Sequence, residues 1–216
     1  MAKLIDLGFS KGTIFETIVS TYSNNKAPNA APIGAIMQNP QTISLKIFNT
    51  SNTNRNLKAN KSAVINLVDD IEVFYKTTFK EANPEGLLPQ EWFVKAESVN
   101  APQLRFANAT IDVSVADAVQ IGEDKTHFFC NVEQINVHEM FPQVYCRSMS
   151  ATLEAIINAT RVKVFLRDNE QKKQVSHLLE LIENSNKIVN HTAPNSLYSR
   201  VMADLLKKID SWRTQQ

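Results

Sequence analysis

A chain of 216 residues, 43% hydrophobic and 21% charged, is long enough to bury a real core, as one large domain or as a main domain with a small appendage. Its net charge of +1 gives no basic face of the kind that holds nucleic acid, and with five glycines it carries neither a G-x-G-x-x-G turn nor a Walker A loop. The opening MAKLIDLGFS lacks an apolar signal core and no run approaches the roughly 20 apolar residues of a membrane span, so a cytoplasmic protein without membrane contact is expected.

In chain order, the first elements read as β. Residues 14–21 and 29–37 flank the turn-rich SNNKAP and predict a hairpin. From Thr42 a third strand sets Ile43, Leu45 and Ile47 on one face and Thr42, Ser44 and Lys46 on the other. It runs into a polar loop, residues 49–54, and a helix-like run over residues 55–60, with Thr53 in the N-cap position. Free N–H groups at a helix start, flanking hydroxyls and the Arg55 guanidinium suit a phosphate. The same residues also make an ordinary capped surface turn, and on this segment alone both readings stand.

The run AVINLV (63–68) predicts a short strand buried on both faces. IEVFYKTTF follows Asp69-Asp70 and gathers Ile71, Phe74, Tyr75 and Thr78 on one face, which favours a helix over a strand. Residues 81–92, with Pro84, Gly86 and Pro89, read as a loop. Ile111, Val113 and Val115 mark one further strand and Phe128, Cys130 and Val132 another, joined by a turn at Gly122-Glu123-Asp124. Ile135 and Val137 switch phase, which places a β-bulge near Glu133 or Gln134. From Ser148 the period becomes 3.6. Three helical faces are expected: Leu153, Ile156, Ile157 and Thr160; Val175, Leu178, Leu179 and Ile182; Leu197, Val201, Leu205, Ile209 and Trp212. Strands first and helices last predict an α+β fold rather than a parallel βαβ sheet.

The segments IFETIVSTYSNNKAPNAAPIGAI and LKIFNTSNTNRNLKANKSAVINLVDD resemble the FMN-binding split-barrel proteins, and within them domain-of-unknown-function family 447. CRSMSATLEAIINATRV is similar to that family's passage from barrel to helices, and GEDKTHFFCNVEQINV to the closing strands of the more distant flavin reductases. The resemblance covers most of the chain, and its Ala-Ala-Pro-Ile-Gly and Ser-x-Thr-x-x-Asn-Leu elements are specific in combination. It implies an antiparallel split β-barrel binding FMN over residues 1–147 and a small C-terminal helical domain over 148–216. It further implies a homodimer with FMN at the subunit interface. Ala31, Pro32, Ile33 and Gly34 would run along the isoalloxazine, Gly34 allowing close backbone approach. Lys46, Ile47 and Phe48 would line the ribityl chain. Ser51, Thr53 and Asn56 would take the phosphate, with Arg55 as charge partner. Where the family carries an aromatic after Thr53, this chain has Asn54.

The remaining chemistry-bearing residues are sparse. Cys130 and Cys146 lack metal-binding spacing and read as reduced thiols, and His127, His138, His177 and His191 are scattered, so no metal is expected. No Ser-His-Asp or Cys-His set can be assembled. Glu16 reads as an exposed strand residue or as an ion-pair partner of Arg147 or Arg161. Asn66, inside an apolar run, must find hydrogen-bond partners and is expected to be structural. His127 reads as a surface strand histidine before a flavin neighbour. The expected function is a flavoprotein, an oxidoreductase or electron carrier whose chemistry is the flavin's own, with no catalytic side chain named. The resemblance leaves a pterin-linked reductase of one-carbon metabolism open. The alternative is a non-enzymatic dimeric module that binds flavin or another planar ligand.

Overall fold

The computed structural model describes residues 2–138 and 146–214. Eight strands form: β1 (Ile14–Tyr22), β2 (Pro28–Asn39), β3 (Thr42–Phe48), β4 (Ser62–Leu67), β5 (Phe93–Lys95), β6 (Pro102–Leu104), β7 (Ala109–Ile121) and β8 (Lys125–Val137). Six of them close into an antiparallel barrel in the order β1-β2-β3-β8-β7-β4, while β5 and β6 pair as a separate hairpin. The expected first hairpin is β1–β2, paired from Ile14↔Ile36 to Tyr22↔Pro28.

Period-two patterning fills the barrel. Ile43, Leu45 and Ile47 of β3 point inside and pack with Val19, Ile65, Ile111, Val113 and Phe128. The phase change in β8 is a bulge at Glu133, because Asp112 pairs with Gln134 and Val113 with Val132. A second shift lies between Val115 and Asp117, which the sequence pattern did not announce. Ser44, on the face opposite Ile43 and Leu45, is also fully buried and accepts a hydrogen bond from Gln38 Nε2 at 2.8 Å.

Two features of the barrel position the site. First, β2 pairs with β3 only from Ala35↔Leu45 to Asn39↔Thr42, so residues 28–34 meet a strand on the β1 side alone. Second, the chain leaves β3 directly into helix α1 (Asn52–Asn60). The N-cap is Ser51, not Thr53 as the sequence reading had it, and the helix starts three residues earlier than expected. Ser51 Oγ accepts from Asn54 N at 3.2 Å and donates to Phe48 O at 2.8 Å, which fixes the turn between strand and helix.

The helix expected after Asp70 is α2 (Ile71–Thr78), and Asp70 Oδ1 accepts from Glu72 N at 2.8 Å at its start. Three long helices follow: α3 (Arg147–Phe165), α4 (Lys172–Thr192) and α5 (Leu197–Thr214). On α3 the buried face is Thr152, Ala155, Ile156, Ala159 and Val162, rotated from the expected Leu153, Ile157 and Thr160, which are only half-buried. On α4 Val175, Leu178 and Ile182 are buried as expected and Leu179 is half-buried; on α5 Val201, Leu205 and Ile209 are buried with Met202 added, while Leu197 and Trp212 are half-buried. The chain divides into two compact units, Met1–Asp69 with Lys76–Phe141 and Asp70–Tyr75 with Pro142–Gln216. Within the second, the Tyr75 hydroxyl donates to the Asp204 carboxylate. Residues 139–145, which the sequence reading assigned to the barrel domain, lie outside the described residues.

Candidate functional site

A cavity of about 670 Å³ lies in the barrel unit where three segments meet. Helix α1 contributes Asn52, Arg55 and Asn56, positions i, i+3 and i+4 and therefore one helical face. The β1–β2 hairpin contributes its turn together with Pro28 and Asn29, and the segment after α2 contributes Lys80, Leu88 and Gln90. The size suits a small-molecule ligand. No carboxylate lines the cavity among the described residues, while Arg55 and Lys80 bring two cations to it.

Buried amides and hydroxyls hold this wall in place. Asn29, 8% exposed, donates from Nδ2 to Thr53 Oγ1 at 3.2 Å, and Asn56 Nδ2 donates to Thr21 Oγ1 at 2.9 Å. Asn54 is 1% exposed and donates to Ile47 O and Asn49 Oδ1, each at 3.4 Å. Helix α1 is thereby stitched to β1, β2 and β3 through side chains. The Arg55 guanidinium donates to Asn52 Oδ1 one turn earlier, and the Lys80 ammonium donates to Asn29 Oδ1. Burial holds the Lys80 pKa below the ordinary lysine value.

Of the residues expected to bind the cofactor, Arg55 and Asn56 line this cavity. Ser51 and Thr53 are engaged in the contacts that build its wall. Ala31, Pro32, Ile33 and Gly34 lie half-buried on the part of β2 that has a strand on one side only. Pro32, which has no N–H to give, sits where one ladder is absent. A Cβ at Gly34 would come within 2.5 Å of Ile14 Cγ2, so the glycine also makes room for a neighbouring side chain. Lys46 is exposed opposite His127, and Phe48 is exposed with the Lys125 ammonium 4.4 Å from its ring centre. The Ile47 side chain is 3% exposed and belongs to the barrel core, so a ligand alongside β3 would meet its backbone.

The other titratable candidates stand apart from the cavity. Burial first, and the Lys46 charge second, hold the His127 pKa below its usual value, and its Nε2 has no hydrogen-bond partner. Burial pushes the Cys130 thiol up to about 12, which makes it inert. Asn66 is structural, as expected: it donates to Ile18 O at 2.9 Å and Ser20 Oγ at 2.8 Å and accepts from Leu104 N at 2.7 Å. Sequence reasoning missed Asn29 and Lys80. Asn29 had a signal, a lone amide in a strand of small apolar residues, whereas Lys80 is one lysine after an amphipathic helix and had none.

Residues 15–139 match the family described as protein of unknown function (DUF447), N-terminal domain. The FMN-bound DUF447 protein MM1853 from Methanosarcina mazei is 25% identical with a TM-score of 0.75, over 95% of this chain and 99% of that one. Nitrilotriacetate monooxygenase component B from Bacillus cereus is a weaker likeness, 17% identical with a TM-score of 0.49 over 68% of this chain and 81% of that one. The styrene monooxygenase flavin reductase of Pseudomonas putida S12 is 18% identical with a TM-score of 0.47, over 58% and 81%. The barrel, its helical extension and the match over residues 15–139 give one assignment: the chain belongs to the DUF447 family.

Proposed function

We propose that this protein is an FMN-binding flavoprotein that serves as an oxidoreductase or electron carrier and works as a homodimer. The cavity carries the reading: among the described residues, two cations and no carboxylate surround a space of about 670 Å³ beside the half of β2 that has a free edge. Similarity over nearly the whole chain to an FMN-bound member of the same family supports it. FMN, when bound, supplies hydride or electron transfer itself. The chain's residues bind and orient. Arg55 and the Asn52 and Thr53 N–H groups, at the start of α1 ahead of the capped Asn54 N–H, suit the phosphate. Backbone groups of residues 31–34 on the free edge suit the polar rim of a flat ring. Ser51 contributes by fixing where the helix starts, and Thr53 by holding Asn29.

The homodimer is supported by a bare sheet face. Phe48, Lys125 and Ile121 form one cross-strand row and Lys46, His127 and Val119 the next. Phe48, Val119 and Ile121 are 54, 47 and 39% exposed, a concentration of apolar surface that a second copy would bury. A narrower reading is a pterin-linked reductase, tested by whether a reduced tetrahydromethanopterin-type pterin exchanges electrons with the holoprotein. The rival reading, a non-enzymatic module, draws on the lack of a catalytic acid or base beside the cavity among the described residues.

Titration with FMN, FAD and riboflavin tests the central claim. The expected result is one FMN per chain with a perturbed flavin spectrum, FMN being preferred because the chain has no adenine-binding motif. No spectral change with FMN would sink the proposal. Oxidation of NADH or NADPH by the holoprotein separates the enzyme from the module, and light scattering at micromolar concentration reports the dimer.

A further inference from the structure

The cation that the sequence reading did not find has an unusual setting. Lys80 is half-buried, its ammonium donates to the neutral amide of Asn29, and no carboxylate pairs with it among the described residues. An ammonium withdrawn from water without an anion is unfavourable, and the cost shows as a lowered tendency to hold its proton. Its backbone is nevertheless set firmly. Phe79 beside it is 2% exposed, and Asn83, 5% exposed, clamps the turn by donating from Nδ2 to Lys76 O and Lys80 O, each at 3.0 Å. Asn29 then fixes the other end, since its amide bridges the Lys80 ammonium and the Thr53 hydroxyl inside the first turn of α1. A lysine so placed, lining the same cavity as Arg55, is prepared for an anion that arrives with the ligand.

We propose that Lys80 is a second phosphate-binding cation of this site, positioned by Asn29, and that it selects the phosphorylated flavin over riboflavin. The inference rests on the FMN reading above and goes further by naming the residue that discriminates. The ligand group is a phosphate monoester. Arg55 comes from α1 and Lys80 from the turn after α2, so the phosphate would tie two separate segments of the barrel unit together.

The test measures FMN and riboflavin affinities for the wild type, Lys80→Gln and Lys80→Arg by flavin fluorescence. Lys80→Gln should weaken FMN roughly tenfold or more while changing riboflavin less than about twofold, and Lys80→Arg should restore most of the preference. A thermal melt of each variant reports folding. A second measurement needs only wild type and Lys80→Arg: the FMN-to-riboflavin ratio as pH rises from 7 towards 10.5. Ring titration is common to both ligands and cancels, and among the described residues the charged groups lining the cavity are Arg55 and Lys80. The wild-type ratio should fall as Lys80 loses its proton, and the arginine variant should stay flat. A wild type that binds neither flavin would overturn both the FMN reading and this inference. A wild type that prefers FMN, with the ratio unchanged in Lys80→Gln or unmoved by pH, would overturn the role of Lys80 alone. Competition by inorganic phosphate against FMN but not riboflavin is the expected companion result.

Discussion

Over β1, β4 and the first half of β7 the outside of the barrel meets the chain's own β5–β6 hairpin, whereas across the ends of β3 and β8 and the far half of β7 the described residues leave Phe48, Val119 and Ile121 exposed, a side that is bare by comparison. The covered side is closed by polar chemistry. Asn66, fully buried, ties β4 to β1 and to Leu104 N of the hairpin; Ser20 Oγ donates to Pro102 O at 2.6 Å; Ser98 Oγ donates to Asp112 Oδ2 at 2.6 Å. Small apolar contacts of Val64 with Ala96 and Ala101 fill the gaps. The bare side carries Phe48, Val119 and Ile121, with Lys46, Lys125 and His127 among them. One side is completed by directional bonds that specify a single partner, the hairpin. The other presents apolar area with cations at hand, which suits a partner the chain does not itself supply.

The largest effect should come from breaking the covered side. Asn66→Ala removes its bonds to Ile18 O, Ser20 Oγ and Leu104 N and leaves the last as a buried unsatisfied donor. The cost should be about 3 kcal/mol, which lowers Tm by roughly 6–12 °C for a chain of this size. A loss under about 2 °C would show that the hairpin is not held as described. On the bare side, Val119→Lys should leave the fold intact and attack association instead. It sets a second lysine into the row of Lys46 and His127, and disrupting an interface hot spot at a cost of about 2 kcal/mol weakens a dimer roughly 30-fold. Sedimentation should show monomer at micromolar concentration with a Tm close to wild type. A dimer of unchanged strength would move the interface elsewhere.

The contrast extends to the site. Arg55→Ala, on the ligand side of α1, should weaken FMN roughly tenfold or more and leave riboflavin nearly alone, with Tm within about 1 °C. Ser51→Ala should do the reverse: loss of the N-cap costs about 1 kcal/mol, a fall in Tm of about 2–4 °C, while the FMN-to-riboflavin ratio holds. If both variants changed the ratio alike, the division between a residue that holds ligand and one that holds the helix would fail.

How far the sequence could be read follows the same line between local and assembled features. The alternation of Ile43, Leu45 and Ile47, the phase slip at Glu133 and the need of Asn66 for partners are local, because side-chain direction repeats every two residues along a strand. The choice between Ser51 and Thr53 as N-cap was not local. Both have a suitable hydroxyl, and what decides is Asn29, 24 residues away, whose buried amide donates to the Thr53 oxygen. The rotated face of α3 has a similar cause: Ala155 and Ala159 are fully buried, and a reading weighted by side-chain size picks Leu153 and Ile157 instead. β5 and β6, three residues each and with Pro102 in one, are too short to show a period. The eleven residues expected to bind the cofactor were drawn from the strand-loop-helix pattern between 31 and 56, so a cavity wall contributed by the turn at Lys80 lay beyond it.

The smallest expected effect is also the most direct probe of the bare face. His127 stands between Lys46 on β3 and Val119 on β7, with the Phe129 ring 4.2 Å away centre to centre. Its midpoint should lie below the usual 6.5, burial being the first cause and the Lys46 charge the second. The sign follows from linkage. The unfolded chain takes up the imidazole proton at higher pH than the folded one, so His127 leaves stability unaffected well above 6.5. The loss sets in as pH falls through 6.5 and is complete below the folded midpoint. An imidazole resonance assigned with His127→Gln and followed by NMR from pH 8 to 4.5 reports this midpoint. Lys46→Met should raise it only part of the way back, since burial remains. Dilution of the wild type towards monomer should raise it as well, because a second copy on this face adds to the burial. Full recovery in Lys46→Met would make charge the cause, and a midpoint indifferent to dilution would mean that no partner covers His127.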